Sequence, residues 1–153
     1  MIDKISVMNR ARIQKRLSRD IMVKRAAYEF FEKHKEEPLF ISGIMLYWAE
    51  GTRLSKKYRK YQLALTNSDP KLISLYAGFL REYFKNIDTN LWRSGLFLYP
   101  DINNQKAVRH WSNILNIPRG QFIKSQILKS NNYCDKRLKF GTCCIYVNSK
   151  DAC

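Results

Sequence analysis

Between Pro38 and Gly51 lies a helix-length run, Leu39-Phe40-Ile41-Ser42-Gly43-Ile44-Met45-Leu46-Tyr47-Trp48-Ala49-Glu50, that is apolar on nearly every side and closes on one carboxylate. Proline suits the first helical turn, and glycine suits the residue just past the last. A helix without a polar face cannot simply lie on a surface, because it must bury most of its circumference in a core or against a second copy of itself. The fold therefore has to cover this segment on more than one side.

The flanking sequence supplies the rest of an α+β domain. Lys4 to Lys35 has no Gly or Pro and spaces Ile5, Met8, Ile13, Leu17, Ile21, Phe30 and Phe31 mostly as a helix does, so one or two helices are predicted there. Arg10, Arg12, Lys15, Arg16, Arg19, Lys24 and Arg25 make that stretch strongly basic. Residues 52–66 read as a hairpin with a basic exposed face. Asn67-Ser68-Asp69-Pro70 ends its second strand and caps a helix running to about Asn86, whose wide apolar face (Leu72, Ile73, Tyr76, Phe79, Leu80, Tyr83) is core. A strand at Leu96–Tyr99, a helix from Asn103 to Leu115, an extended piece at Gln121–Ile127 and a β-branched strand over Leu138–Val147 follow. That order predicts an antiparallel sheet with helices on one face, as residues 38–153, preceded by a basic helical extension, residues 1–37.

Charge sets the partner. The formal net charge is +15, with 28 Lys and Arg against 13 Asp and Glu. Such an excess resists compaction and fits an anionic surface. With 45% hydrophobic and 13% aromatic residues the chain is too apolar for a disordered basic tail. It also lacks a run near the ~18 apolar residues of a membrane span, so nucleic acid is the expected partner and a membrane is not. The N-terminus has no secretory pattern, which puts the expected location in the cytoplasm, at the nucleoid. Cys134, Cys143, Cys144 and Cys153 form no C-x-x-C pair, and His34 and His110 lie far upstream of most of them, so free thiols are expected rather than a zinc site. A Gly-rich phosphate loop and a Cys-His nucleophile pattern are both absent, and no small-molecule substrate is expected.

Gly43-Ile44-Met45-Leu46-Tyr47-Trp48-Ala49-Glu50-Gly51 resembles the signature helix of the LAGLIDADG homing endonucleases, with Ala49-Glu50-Gly51 matching its closing alanine, acid and glycine. Leu63-Ala64-Leu65-Thr66-Asn67-Ser68-Asp69-Pro70-Lys71-Leu72-Ile73 resembles that fold's second strand and following helix, and in topology the likeness runs from about Leu39 to Val147. The resemblance implies a saddle-shaped sheet on double-stranded DNA. It also implies a homodimer, because one signature helix is present where paired helices are needed, with Gly43, Met45, Leu46, Tyr47 and Ala49 at the interface. It implies Glu50 as catalytic acid and Mg²⁺ ligand, and Lys124 or Lys139 as a basic residue near the scissile phosphate. For DNA contacts it points to Arg53, Lys56, Lys57, Arg59, Lys60 and Gln62, with Arg12, Arg16 and Arg19 of the N-terminal helix as phosphate contacts.

Three departures keep two functional classes open. Met45 stands where the family has a glycine, Trp48 stands where an acid is frequent, and no closing helix is legible after Val147. One class is a Mg²⁺-dependent DNA endonuclease. The other is a catalytically inactive DNA-binding regulator on the same fold. A single-stranded RNA binder stacking bases on Trp92, Tyr58, Tyr61 and Tyr99 is a third hypothesis.

Overall fold

The computed structural model describes residues 4–52, 62–129 and 138–148, which fall into two compact units, Met1–Pro38 and Leu39–Cys153. The first holds one long helix, α1 (Lys4–His34), ended by a turn in which Glu37 N–H donates to the His34 carbonyl at 2.9 Å. His34 also meets the Glu37 carboxylate at 2.7 Å and tilts against Phe30.

The second unit is α+β. Helix α2 (Pro38–Glu50) begins on the expected proline. Strand β1 (Gln62–Asn67) leads into α3 (Pro70–Tyr83), then β2 (Trp92–Leu98), α4 (Asn104–Leu115), β3 (Gln126–Ile127) and β4 (Thr142–Asn148). The sheet order is β1-β4-β2-β3. Strand β4 pairs antiparallel with both β1 and β2, whereas β3 runs parallel to β2. The sheet is thus mixed and not purely antiparallel as the sequence predicted. After α4 the chain returns along β2 in the same direction, which a helical crossover permits and a hairpin does not. The first arm of the expected hairpin, residues 53–61, lies outside the described residues. Its entry is clear, because Gly51 bridges Leu65 and Thr52 N–H donates to the Ala64 carbonyl at 3.0 Å.

Local sequence explains the element ends. The Asp69 carboxylate accepts from Lys71 N–H at 2.8 Å and Pro70 opens α3, while the Asn67 side chain accepts from Asp69 N–H at 2.9 Å. Asn103 caps α4 in the same way, and Asn116 takes the left-handed conformation just past it (φ 48°), which asparagine tolerates better than most residues. Gly141 (φ 68°) starts β4 against the Phe97 carbonyl, where a side chain would have no room.

The core lies between the sheet and its helices. Ile73, Tyr76, Ala77 and Leu80 of α3, Ala107, Trp111 and Leu115 of α4, and Trp92, Leu96, Ile145 and Val147 of the strands are buried together. The Trp111 indole N–H donates to the Phe140 carbonyl at 2.9 Å, and the Arg81 guanidinium, 5.0 Å from the Trp92 ring, donates to the Leu115 carbonyl. Helix α2 joins this core through α3: Phe40 packs edge-on to Tyr83, Tyr47 stacks on Tyr76 with planes 5° apart, and Gly43 lies directly on Phe79. A β-carbon at Gly43 would overlap the Phe79 ring and reach its Cβ at 2.6 Å, so the two helices would have to separate. Gly43→Ala should cost about 3 kcal/mol, the upper end of overpacking, more than the ~1 kcal/mol of helix propensity it gains. Chemical denaturation checks this, and an unchanged or higher midpoint would contradict the packing described.

Candidate nucleic-acid interface

Side chains alternate across a strand, so the register fixes what each side of the sheet presents. Leu65, Ile145 and Ser94 align in one row of the core side, with Val147 and Trp92 beside them. Ser94, buried there, donates its hydroxyl to the Cys144 carbonyl at 3.0 Å. The other side carries Gln62, Ala64 and Thr66 from β1, Thr142, Cys144 and Tyr146 from β4, and Arg93, Gly95 and Phe97 from β2. Most of these are half-buried, and Ala64 and Gly95 form a floor of small residues between larger ones. Ile123 packs over Gly95. None of the four strands contains an Asp or Glu. The segment from Gly51 to Ser68 has five Lys or Arg and no acid.

Electrostatics on this side are coupled. Burial, and then the neighbouring Cys144, push the Tyr146 phenol up, while the Arg93 charge pulls it down. Burial also pushes the Cys144 thiol up, against a hydrogen bond with Thr66. Arg93 is anchored, since its Nη1 donates to the carbonyls of Asn90 at 2.6 Å and Trp92 at 2.7 Å.

The expected site residues are spread over several places. Gln62 belongs to the strand side just described, while Arg53, Lys56, Lys57, Arg59 and Lys60 lie outside the described residues. Arg12, Arg16 and Arg19 are exposed on α1, and with Lys15 they recur at the i, i+3, i+4, i+7 spacing of one helix face. Arg19 reaches Asp20 at 3.9 Å, and among the described residues Arg12, Lys15 and Arg16 have no carboxylate partner. On α2, Met45, Ala49 and Glu50 are exposed and Trp48 is 70% exposed, whereas Gly43, Leu46 and Tyr47 pack inward. Of the residues expected at a dimer interface, Met45 and Ala49 therefore form the outer strip. Ile44, Tyr47, Trp48, Gly51 and Thr52 line a shallow apolar groove of about 250 Å³ beside it.

Glu50 and Lys124 are not brought together. Gly51 joins the β1 edge of the sheet, while Phe122 bridges Ser94 on the far side of β2. Those edges are four strand spacings apart, roughly 19 Å. Lys139 lies elsewhere again, over the Phe140 ring in a hollow of about 410 Å³ with Asp101, Asn103 and Lys106. His110 stacks on Phe140 at 3.8 Å, and burial and then the Lys139 charge lower its pKa, which suits a neutral packing role. Among the described residues no three His, Cys, Asp or Glu side chains cluster as metal ligands. Trp92, expected to stack RNA bases, is 1% exposed and cannot do so; Tyr99 is half-buried, and Tyr58 and Tyr61 lie outside the described residues.

Sequence reasoning missed Arg93, Thr66 and Tyr146. Their signal was the alternation of β1, β2 and β4, visible only once the strand limits are known. No protein-family model, no curated protein and no solved structure matches the chain. No helix among the described residues is long and apolar enough to cross a membrane.

The two described thiols differ sharply. Cys143 faces the core and burial pushes it up to about 12, whereas Cys144 is half-buried on the opposite side. In a variant with serine at the other three cysteines, Cys143 should react with a disulfide reagent at pH 8 about 10³-fold more slowly in the folded than the denatured protein, because burial suppresses its thiolate fraction. Equal rates would mean that β4 does not hold this register.

Proposed function

We propose that this protein binds double-stranded DNA as a homodimer on a LAGLIDADG-like fold, reading the duplex with the side of its sheet that faces away from the core. The observation that carries this reading is the segregation of charge. Thirteen acids are spread over the chain, yet none falls in the four strands or between Gly51 and Ser68, where five Lys or Arg are concentrated. A polyanion is attracted along such a path and meets no fixed negative charge on the way. The basic stripe of α1 adds sequence-independent phosphate contacts, and the outer strip of α2, Met45-Trp48-Ala49, is the surface on which a second copy pairs.

Hydrolysis is a second reading, favoured by Glu50. A carboxylate at a helix C-terminus opposes the helix dipole, and this one is exposed at the end of the signature-like helix. Mg²⁺ is octahedral but fills most of its shell with water and substrate phosphate and needs only one or two carboxylates. Glu50 of one chain would supply one such ligand, and Glu50 of a second copy the other. Met45 and Trp48 also lie on the strip that would bring two Glu50 side chains together.

Retention of a labelled randomised duplex across a salt series, with Mg²⁺ and with EDTA, tests both readings. The wild type should bind with a steep negative salt slope, and replacing Arg12, Arg16 and Arg19 by Gln should reduce the slope by about 5 in the dimer, near 0.9 for each of the six phosphates that two copies no longer neutralise. Absence of retention at low salt, or preference for single-stranded RNA, overturns DNA binding. Mg²⁺-dependent cuts abolished by Glu50→Gln establish the nuclease, and intact DNA under retained binding removes it.

A further inference from the structure

We propose that Arg93 is a base-reading residue of the sheet, selecting guanine at one position of each half-site of the DNA; this rests on the duplex-binding reading above. Arg93 is the one charged residue within the four strands, and its position in the register is directly opposite Tyr146, with Ala64 in the same row on the other side. Among the described residues its Nη1 is engaged by the Asn90 and Trp92 carbonyls, and no protein acceptor meets Nε or Nη2. A free, flexible arginine would lose much rotamer entropy on docking to a base. Here the plane of the guanidinium is fixed in advance from one corner, and the fork that remains is the two-donor edge that matches O6 and N7 of guanine in the major groove. Within the row Ala64 is buried, whereas Tyr146, directly opposite Arg93 in the register, is half-buried and supplies a wall beside the guanidinium.

The chemistry of the fork separates this role from simple charge. Lysine keeps the charge and loses the planar pair of donors, while glutamine offers a donor and an acceptor that match adenine N7 and N6. A two-residue step along a strand is ~6.8 Å, about two base-pair steps, so Gln62 and Thr66 on neighbouring rows address different base pairs. A change at Arg93 therefore affects one position of each half-site.

Selection from a randomised duplex library with the wild type, Arg93→Lys and Arg93→Gln tests this. The wild-type matrix should contain a guanine preferred about 10- to 100-fold in each half-site; Arg93→Lys should flatten that half-site position alone, Arg93→Gln should turn it toward adenine, and the salt slope of each should stay within about one unit of the wild type. Thermal unfolding by circular dichroism identifies any variant that fails to fold, and the other then decides. A wild-type matrix without a preferred guanine, or one unchanged in the folded variant, overturns the role of Arg93 while leaving DNA binding standing. A wild type that captures no duplex removes DNA binding itself and this inference with it.

Discussion

Strand β4 is the element on which the second unit depends. It is the last described strand in the chain, yet it sits between β1 and β2 and gives the sheet its two sides. Its alternation sends Cys143, Ile145 and Val147 into the core and Thr142, Cys144 and Tyr146 to the opposite side. A one-residue slip would exchange these sets, burying a phenol and a threonine and exposing three apolar side chains. Gly141, in the left-handed region against the Phe97 carbonyl, fixes where the strand starts and so which register is used. Ser94 ties the same register from β2, through its hydroxyl on the Cys144 carbonyl.

With the sheet fixed, the packing of α2 follows from shape. Gly43 lets the helix sit directly on Phe79, and Tyr47 and Phe40 complete an aromatic seam with α3. That seam satisfies one side of a helix that is apolar nearly all round. The other side retains Met45 and Trp48 on the surface, the strip on which we propose that a second copy pairs. The same inward and outward division explains why Glu50 is accessible: it closes the helix on its open side, next to the residue that starts the edge of the sheet.

Much of this was legible in the sequence because the signals were local. Pro38 and Gly51 bracket α2, Asn67-Ser68-Asp69-Pro70 caps α3 and Asn103 caps α4, the two caps through hydrogen bonds made within three residues. The α+β order followed from those ends. What local signals could not give was pairing. The parallel return of β3 beside β2, the burial of Trp92 and the distance between the edges holding Glu50 and Lys124 all depend on contacts remote in sequence. The candidate site was legible in part for the same reason. Its charge and Gln62 could be read along one strand, but Arg93 and Tyr146 become neighbours only through the β2–β4 register.

Placing the DNA on the far side of the sheet from the core is the central claim, and a photo-crosslinking residue at two positions tests it directly. One replaces Tyr146 on the open side of the sheet, and the other replaces Arg109, which is exposed on α4. Illumination with a labelled duplex should give a crosslink at 146 that disappears as salt rises, and little or none at 109. Crosslinking at 109 that equals or exceeds that at 146 would put the DNA elsewhere and contradict a sheet-borne interface.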